Sequence, residues 1–383
     1  MLKSKVGSTA RLLELCTGYF FSYVVTGVLV KFFTGSLNGA PRMSDIAYLA
    51  NNTVGGNLLC LGAVLALGWI PWPSKHGGRW PREMPYILAS GVCTAIIIPG
   101  TTLLYTLPIS VMVAMVIMRG SVIVISRAID AVQIRQGILN RRVYPQENWA
   151  VVFALLAVGA NLLPVPMAPW FEAHPEVAHA LGIVPAKLRG GFDFVHNPLA
   201  IWTLGAYITA YAIRLYLMNY FKNTRKGPSD VNNTAYFAIE QLSASAVIFG
   251  AMAVIWLGVR QGGWLDPRLV MTHDAVAHPD LLAIASGLPY GFVAFFSVFL
   301  FMFQGRTATF AGLVNRITSL LAGTTATLLL AWWWGQKPPA VTEWVSFFFI
   351  LVAVAFLSRA EQKRAGETAA VVATVPGAVP AKA

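Results

Sequence analysis

Two arginines lie deep inside long apolar stretches of the sequence, where a charged side chain is costly. Arg119 falls in the stretch 107–128, and Arg316 in the stretch 307–331. An ionised side chain at the centre of a bilayer costs at least about 2.5–3.5 kcal/mol and usually faces a cavity or a partner. Because a guanidinium holds a carboxylate or phosphate through two parallel hydrogen bonds, the two arginines predict a site for an anionic group of a substrate. The alternative is that each arginine bonds to helix carbonyls or a neighbouring helix and only holds the fold.

A third deep arginine, Arg214, has a candidate partner in Glu240. Arg214 and Glu240 lie in consecutive apolar stretches, 198–221 and 232–258, each roughly 12–14 Å of helix from the same predicted membrane face. The matching depths predict an ion pair. Such a buried pair adds little stability by itself, although removing one partner is costly. The alternative is a proton-coupling role for the Glu240 carboxylate.

Tyrosines and one asparagine complete the set of candidate binding residues. Tyr19 and Tyr23 are four residues apart, as are Tyr207 and Tyr211, so each pair lies on one face of a helix. These faces could line a cavity and stack on a ring of the substrate, but tyrosines also pack between helices. Asn315 adjoins Arg316, although asparagines in membrane helices more often join helices through hydrogen bonds.

The composition indicates which elements must position these side chains. Of the 383 residues, 56% are hydrophobic and only 11% are charged, whereas a soluble domain has about 25% charged residues. So few charges could not cover the surface of a soluble protein of this length. The sequence therefore excludes a disordered chain, a secreted disulfide scaffold and an ordinary cytosolic enzyme, and it predicts an all-α polytopic membrane protein.

Ten stretches are long and apolar enough to be predicted as membrane-spanning helices. They are residues 12–34, 46–70, 85–106, 107–128, 148–168, 198–221, 232–258, 281–304, 307–331 and 340–358. Most of the 28 lysines and arginines then fall in the termini and in the loops on the side of the N-terminus. The positive-inside rule therefore places both termini in the cytoplasm, and the formal charge of +12 is no sign of a nucleic-acid partner.

The stretches repeat in order, which divides the chain into two units. At an offset of 188, Tyr19 and Tyr23 match Tyr207 and Tyr211; slightly longer offsets match Ala89-Ser90-Gly91 with Ala285-Ser286-Gly287 and Arg119 with Arg316. Each unit has an odd number of spans, so the second enters from the opposite side, as in the inverted repeats of secondary transporters. The expected parts are a cytoplasmic N-terminus (1–11), a first five-helix repeat (12–168), an extracytoplasmic linker (169–197), a second five-helix repeat (198–358) and a disordered cytoplasmic tail (359–383).

Four segments carry a resemblance to a known family. They are "LYTLPISVM" at Leu104–Met112, "MVIMRGSVIVISRAI" at Met115–Ile129, "ENWAVVFALLAVGANLL" at Glu147–Leu163 and "GLVNRITSLLAGTTATLLLAWWWGQKPPAVTEW" at residues 312–344. Together they resemble the drug/metabolite transporter superfamily, in its nucleotide-sugar-transporter-like and solute-carrier arm. The resemblance implies ten helices in two inverted five-helix units, a central cavity lined mainly by predicted spans 1, 3, 4, 6, 8 and 9, and alternating access.

The sequence carries no motif for a metal, a cofactor or an enzymatic reaction. Cys16, Cys60 and Cys93 fall in three different stretches without CxxC spacing, so neither a disulfide nor a metal site is expected. The chain lacks the glycine-rich signature of a nucleotide-binding loop, which argues against an ATP-driven pump. Glycines within the stretches, such as Gly55, Gly62 and Gly250, are expected to allow helices to approach closely.

These observations predict a secondary transporter that moves a small organic solute by alternating access. The deep arginines favour an anionic or zwitterionic solute, with nucleotide- or sugar-related compounds among the candidates. The alternatives are an exporter of neutral or cationic metabolites or drugs, and a non-transporting membrane scaffold of the same fold. The expected partners are the substrate and the lipid bilayer, a homodimer is an open alternative, and the expected location is a bacterial inner membrane.

Overall fold

The protein folds entirely into helices over the part of the chain that can be described. The computed structural model describes residues 9–35, 41–70, 83–139, 143–180, 183–189, 193–224, 233–301, 308–339 and 341–374. Its helices are α1 (Thr9–Thr34), α2 (Asp45–Ala66), α3 (Met84–Thr106), α4 (Val111–Arg135), α5 (Pro145–Leu162), α6 (Ala168–Ala173), α7 (Pro175–Ala180), α8 (Pro185–Arg189), α9 (Pro198–Thr224), α10 (Asn233–Gly262), α11 (Pro267–Ala277), α12 (Leu281–Ala285), α13 (Leu288–Phe301), α14 (Ala308–Trp334) and α15 (Val341–Thr374). These described residues contain no β-strand.

Eight of these helices are long and apolar enough to cross a membrane. The candidate spans are Ala10–Thr34, Asp45–Ala66, Met84–Thr106, Val111–Arg135, Thr234–Gly262, Leu281–Leu300, Asn315–Trp334 and Val341–Arg364. Helices α5 and α9, which also coincide with expected spans, are not among the eight. Helix α5 begins with the polar residues Gln146, Glu147 and Asn148, and α9 contains Arg214 and several tyrosines. The chain is an all-helical, multi-pass membrane protein.

Local signals begin and end the helices where the sequence requires it. Leu107 and Pro108 follow α3, and Ser110 then caps α4 by accepting a hydrogen bond from the Val113 amide at 3.1 Å. Ser44 caps α2 in the same way through the Ala47 amide. The stretch 281–304, expected as one helix, is divided between α12 and α13 by a turn at Ser286-Gly287. At this turn the Ser286 hydroxyl donates to the Ala283 carbonyl, and the Gly287 amide donates to the Ile284 carbonyl.

The helices pack in a regular pattern around α4 and α14, which contact each other. Helix α1 packs against α13 and α14, while α9 packs against α3 and α4. Helix α2 lies on α13, α10 lies on α3, and α5 packs along α15. The largest cluster of buried apolar side chains joins most of these helices and includes Met115, Tyr105 and Ile350. This arrangement brings residues far apart in sequence to the middle of the bundle.

Two expected irregular segments contain helix. The linker 169–197 holds most of α6 and all of α7 and α8, three short helices. The tail, expected to be disordered from residue 359, continues α15 through Thr374, and the residues beyond lie outside the described part. Arg364 explains the extension, because its guanidinium pairs with Glu361 on α15 and with Glu147 at the start of α5. The alanine-rich sequence that follows also favours helix.

Candidate functional site

Arg119 of α4 points into the centre of the bundle and is held by two tyrosines of α1. Its Nη2 donates to the Tyr19 hydroxyl at 3.0 Å and to the Tyr23 hydroxyl at 2.8 Å. The guanidinium carbon also lies 5.4 Å from the centroid of the Tyr23 ring, within the range of a cation–π interaction. The i,i+4 tyrosine pair and the deep arginine, predicted separately from the sequence, are therefore one group in space.

The charge of Arg119 has no counter-ion in the described part of the chain. Only 5% of the residue is exposed, and none of the ion pairs formed by the described residues includes it. Its Nε is buried without a hydrogen-bond partner there. A buried guanidinium normally has its donors satisfied and its charge paired. Arg119 is therefore a cation with donor capacity to spare.

Asn315 of α14 extends this group across the bundle. The Tyr19 hydroxyl, which accepts from Arg119, donates to the Asn315 Oδ1 at 3.1 Å. The Asn315 amide nitrogen donates in turn to Ser297 of α13 at 3.3 Å. Asn315 thus orients the Tyr19 hydroxyl toward Arg119, and it contacts the candidate site through that tyrosine.

Arg214 of α9 and Glu240 of α10 form the ion pair expected from their matching depths. Arg214 Nε donates to Glu240 Oε1 at 2.8 Å, and Arg214 Nη2 donates to Oε2 at 2.9 Å. The Ser90 hydroxyl of α3 also donates to Oε1 at 2.6 Å. The Thr94 hydroxyl lies 3.3 Å from Oε1 and makes its shorter bond, 3.0 Å, to the Ser90 carbonyl. Glu240 is only 2% exposed, so its carboxylate is fully surrounded by donors, as a buried charge requires.

Arg119 and the Arg214–Glu240 pair line the same small cavity. The cavity has a volume of about 60 Å³, and Tyr23, Tyr207 and Tyr211 also face it. Its remaining walls combine apolar and uncharged polar side chains: Thr94, Ile97, Ile98, Thr101, Phe237, Gln241, Tyr290, Val293, Ala294, Ser297 and Val298. Binding sites for small organic molecules usually have volumes of about 300–1,000 Å³, so this cavity is smaller than a typical ligand site in this conformation.

Arg316 lies apart from this cavity, although its sequence position matches that of Arg119. Its Nη2 donates to the Ser126 hydroxyl of α4 at 2.6 Å. It lies close enough to Tyr211 and Arg119 to interact with both electrostatically. Ser126 is roughly 10 Å, about two helical turns, further along α4 than Arg119. The Arg316 side chain is not among those that line the cavity. The structure therefore places Arg119, but not Arg316, on the cavity wall.

Several residues of the site were not expected from the sequence. Ser90, Thr94 and Tyr290 are examples, and α10 lines the cavity where α14 had been expected. Ser90 belongs to the Ala-Ser-Gly motif that recurs at Ala285-Ser286-Gly287, and that recurrence could have identified it. Single threonines and tyrosines in an apolar helix carry no such signal.

A second buried polar cluster joins α2 to the turn between α12 and α13, outside the cavity. The Asn52 amide donates to the Tyr48 hydroxyl at 3.0 Å and to the Ser286 hydroxyl at 3.3 Å. Ser286 also lies 3.1 Å from the Tyr48 hydroxyl. We call Tyr48, Asn52 and Ser286 the neutral cluster, because it contains no ionisable pair, and we call Tyr236, Glu240, Ser90 and Arg214 the charged cluster.

The groups around the cavity favour organic recognition over metal binding. Among the described residues, no three His, Cys, Asp or Glu side chains come close enough to hold a metal ion. The cavity instead presents one unpaired guanidinium, phenol rings and hydroxyls. These groups bind carboxylates and aromatic rings.

Comparison with known proteins adds little to this geometry. No protein-family model matches the chain, and no curated protein matches it. One solved structure, described only as "Crystal structure of protein", aligns with a TM-score of 0.45 and 15% sequence identity over 91% of this chain and 98% of its own. A similarity this loose carries no argument about function.

Proposed function

We propose that the protein is a secondary transporter that moves a small organic anion or zwitterion across a membrane by alternating access. The observation that carries the proposal is Arg119, a buried cation without a counter-ion in the described chain, facing a cavity between the helices. A charged side chain that is kept inside a membrane protein despite its free-energy cost usually has a functional role. An anionic group of the substrate would supply the missing partner.

We also propose ten membrane spans, adding α5 and α9 to the eight apolar helices. The packing supports this count, because α5 and α9 hold positions that correspond to those of α15 and α1. Helix α1 packs against α13 and α14, and α9 packs against α3 and α4 in the corresponding way. Both termini would then lie on the same side, in the cytoplasm by the distribution of lysine and arginine. A bacterial inner membrane is the proposed location.

An inverted repeat is part of the proposal, and the two polar clusters support it. Ser286 contacts Asn52 and Tyr48 in the neutral cluster, and Ser90 contacts Glu240 and Tyr236 in the charged cluster. The sequence offsets that align the two units pair each of these residues with its counterpart. Two five-helix units that enter a membrane from opposite sides can exchange conformations, which is the basis of alternating access.

The drug/metabolite transporter superfamily is the proposed family. The resemblance implies a cavity between the two halves, and the cavity here lies among α1, α3, α4, α9, α10 and α13. Its small volume of about 60 Å³ fits an occluded state of such a transporter, since a substrate would enter only when one side opens.

Transport by purified protein in vesicles tests the proposal. Proteoliposomes are assayed by counterflow against solutes graded from anionic through neutral to cationic. We expect anions to move, and Arg119→Ala to reduce their flux at least about tenfold, a loss of about 1.4 kcal/mol of binding to the site. Arg260→Ala serves as the matched control, because Arg260 is exposed at the end of α10, where its guanidinium lies over the Trp256 ring, and it does not line the cavity.

Three outcomes would contradict the proposal. Flux of cations or neutral solutes without flux of anions would favour an exporter of metabolites or drugs. No flux of any solute by folded protein would favour a scaffold role. Unchanged anion flux in Arg119→Ala would remove Arg119 from the site.

A further inference from the structure

We infer that the cavity accepts a substrate with a single negative charge and an apolar or aromatic body, and that Glu240 sets this limit by neutralising Arg214. The inference rests on the proposed function, because it concerns the substrate of the same site. It narrows the candidates to monocarboxylates and comparable monoanions. It excludes nucleotides, sugar phosphates and dicarboxylates.

The charges that line the cavity add up to one positive charge. Arg119, Arg214 and Glu240 are the ionisable acids and bases of the lining, apart from the tyrosines. Both Glu240 oxygens accept from Arg214 at 2.8 and 2.9 Å. Because that pair is internally neutral, Arg119 is the one charge of the lining that remains to attract an anion. Arg316, the other deep arginine, bonds to Ser126 and does not line the cavity, although it interacts electrostatically with Arg119 and Tyr211.

A second negative charge on the substrate would find no partner in the cavity. Glu240 could be displaced from Arg214 only by giving up three hydrogen bonds, the two from Arg214 and the one from Ser90. The displaced carboxylate would itself be a buried, unpaired charge. Burying an unpaired charge costs free energy. A dianion would bear this cost for its second charge, whereas the single charge of a monoanion pairs with Arg119.

The neutral cluster indicates that a carboxylate is not needed to join these helices. Asn52 reaches Ser286 and Tyr48 with an uncharged amide, and Glu240 makes the corresponding contact with Ser90. What distinguishes Glu240 is its bond to Arg214 and its position on the cavity wall. The charge of Glu240 therefore acts on the cavity rather than on the packing of α10 against α3.

The rest of the lining describes the body of the substrate. Ile97, Ile98 and Val293 form apolar wall, and Phe237 and Tyr290 add aromatic faces. Apolar and aromatic walls bind an apolar body, while a few polar groups fix its orientation. A carboxylate on Arg119 with a hydrocarbon or aromatic ring against these walls satisfies both parts of the cavity.

Anion-dependent thermal stability of the purified full-length protein tests the inference. The probes are benzoate, isophthalate, benzamide and benzylammonium, which share a ring and carry charges of −1, −2, 0 and +1 near neutral pH. A ligand that binds the folded state raises its unfolding midpoint. We expect benzoate to raise the midpoint of the wild type, with a dissociation constant at least about tenfold below those of the other three probes.

Substitutions that change the cavity charge provide the decisive arms. Glu240→Gln raises the charge to two, so isophthalate should bind at least about tenfold more tightly than to the wild type. At the offset of 188, Thr26 and Asn52 are the counterparts of Arg214 and Glu240. The double substitution Arg214→Thr with Glu240→Asn introduces these counterparts and leaves the cavity charge at one. Isophthalate should therefore bind the double variant no more tightly than it binds the wild type. Arg119→Met should abolish stabilisation by benzoate. Glu343→Gln is the matched control, because Glu343 bonds to Ser110 away from the cavity.

Each result separates this inference from the transport proposal. Equal stabilisation of the wild type by isophthalate and benzoate overturns the inference, as does a lack of any shift with benzoate. If Glu240→Gln does not fold, the wild type and Arg119→Met still decide between these outcomes. Benzoate binding without flux in vesicles would contradict the transport proposal and leave the inference intact. Flux of dianions at the same rate as monoanions would contradict the inference and leave the transport proposal intact.

Discussion

The neutral and charged clusters are built on the same contacts but differ in their surroundings. In each, a serine of an Ala-Ser-Gly motif meets a polar side chain and a tyrosine four residues before it. Asn52 makes no ion pair, and its Oδ1 is buried without a hydrogen-bond partner in the described chain. Glu240 is instead paired with Arg214, which lies on the cavity wall with it. The two clusters thus share the same type of helix contact and differ by one ion pair.

This difference separates a requirement of the fold from a feature of the site. An amide, a hydroxyl and a phenol suffice to join α2 to the turn between α12 and α13, so the ion pair between α9 and α10 is not explained by helix packing. Buried ion pairs are in any case weak sources of stability. Substitutions in one cluster, measured against matched substitutions in the other, separate the contribution of the ion pair from that of the shared contacts.

Removing the carboxylate should have the largest effect on stability. Glu240→Ala leaves Arg214 buried without its counter-ion, and we expect a loss of about 3–5 kcal/mol. Asn52→Ala removes only uncharged hydrogen bonds, and we expect a loss of about 1–3 kcal/mol. Thermal unfolding of both variants in the same detergent measures the difference, and equal losses would show that the two clusters are energetically alike.

Adding a methyl group where two helices approach closely beside each cluster should lower stability by a smaller amount, similar in the two halves. A methyl group on Gly91 would lie 2.5 Å from the Glu240 carbonyl oxygen, and one on Gly287 would collide with the Asn52 carbonyl oxygen. We expect Gly91→Ala and Gly287→Ala each to cost about 1–3 kcal/mol through overpacking. Gly62→Ala is the control.

That control also corrects an expectation about the glycines. Gly62 and Gly250 were expected to allow close helix approach, but a methyl group at either would meet nothing within 4 Å. The expectation holds instead for Gly55, where a methyl group would collide with the Ile284 carbonyl. Because Gly62 lies in open space in a helix, Gly62→Ala should stabilise slightly, by about 0.5–1 kcal/mol. Destabilisation by Gly62→Ala in thermal unfolding would contradict the assigned helix rotation.

Converting the charged cluster into the neutral one should have the smallest effect on stability and a clear effect on transport. Replacing both partners of a buried ion pair is often close to neutral, so the double substitution Arg214→Thr with Glu240→Asn should change the unfolding free energy by less than about 1 kcal/mol. Anion flux in vesicles should nevertheless fall, because the wall of the cavity has changed. A folded variant with unchanged flux would make the pair dispensable for transport.

The predictability of the site from sequence differed from residue to residue. Arg214 and Glu240 could be paired in advance, because their depths match on helices that follow each other in the chain. The contact between Tyr19 and Asn315 spans 296 positions in sequence, and no local pattern indicates it. Arg316 was expected beside Arg119 because the two align in the repeat, yet its side chain bonds to Ser126 instead. Matching sequence positions do not ensure matching side-chain environments.

Local patterns in the sequence predicted the class of the protein, the approximate positions of its long helices and the charged residues within them. Hydropathy, caps and turn residues act locally, so they can be read along the chain. Packing between distant helices selected the arginine that bonds to Tyr19 and Tyr23 and the charges that share a cavity. A helix apolar on most sides does not encode its rotation about its own axis, so the face turned inward is chosen by packing against distant helices.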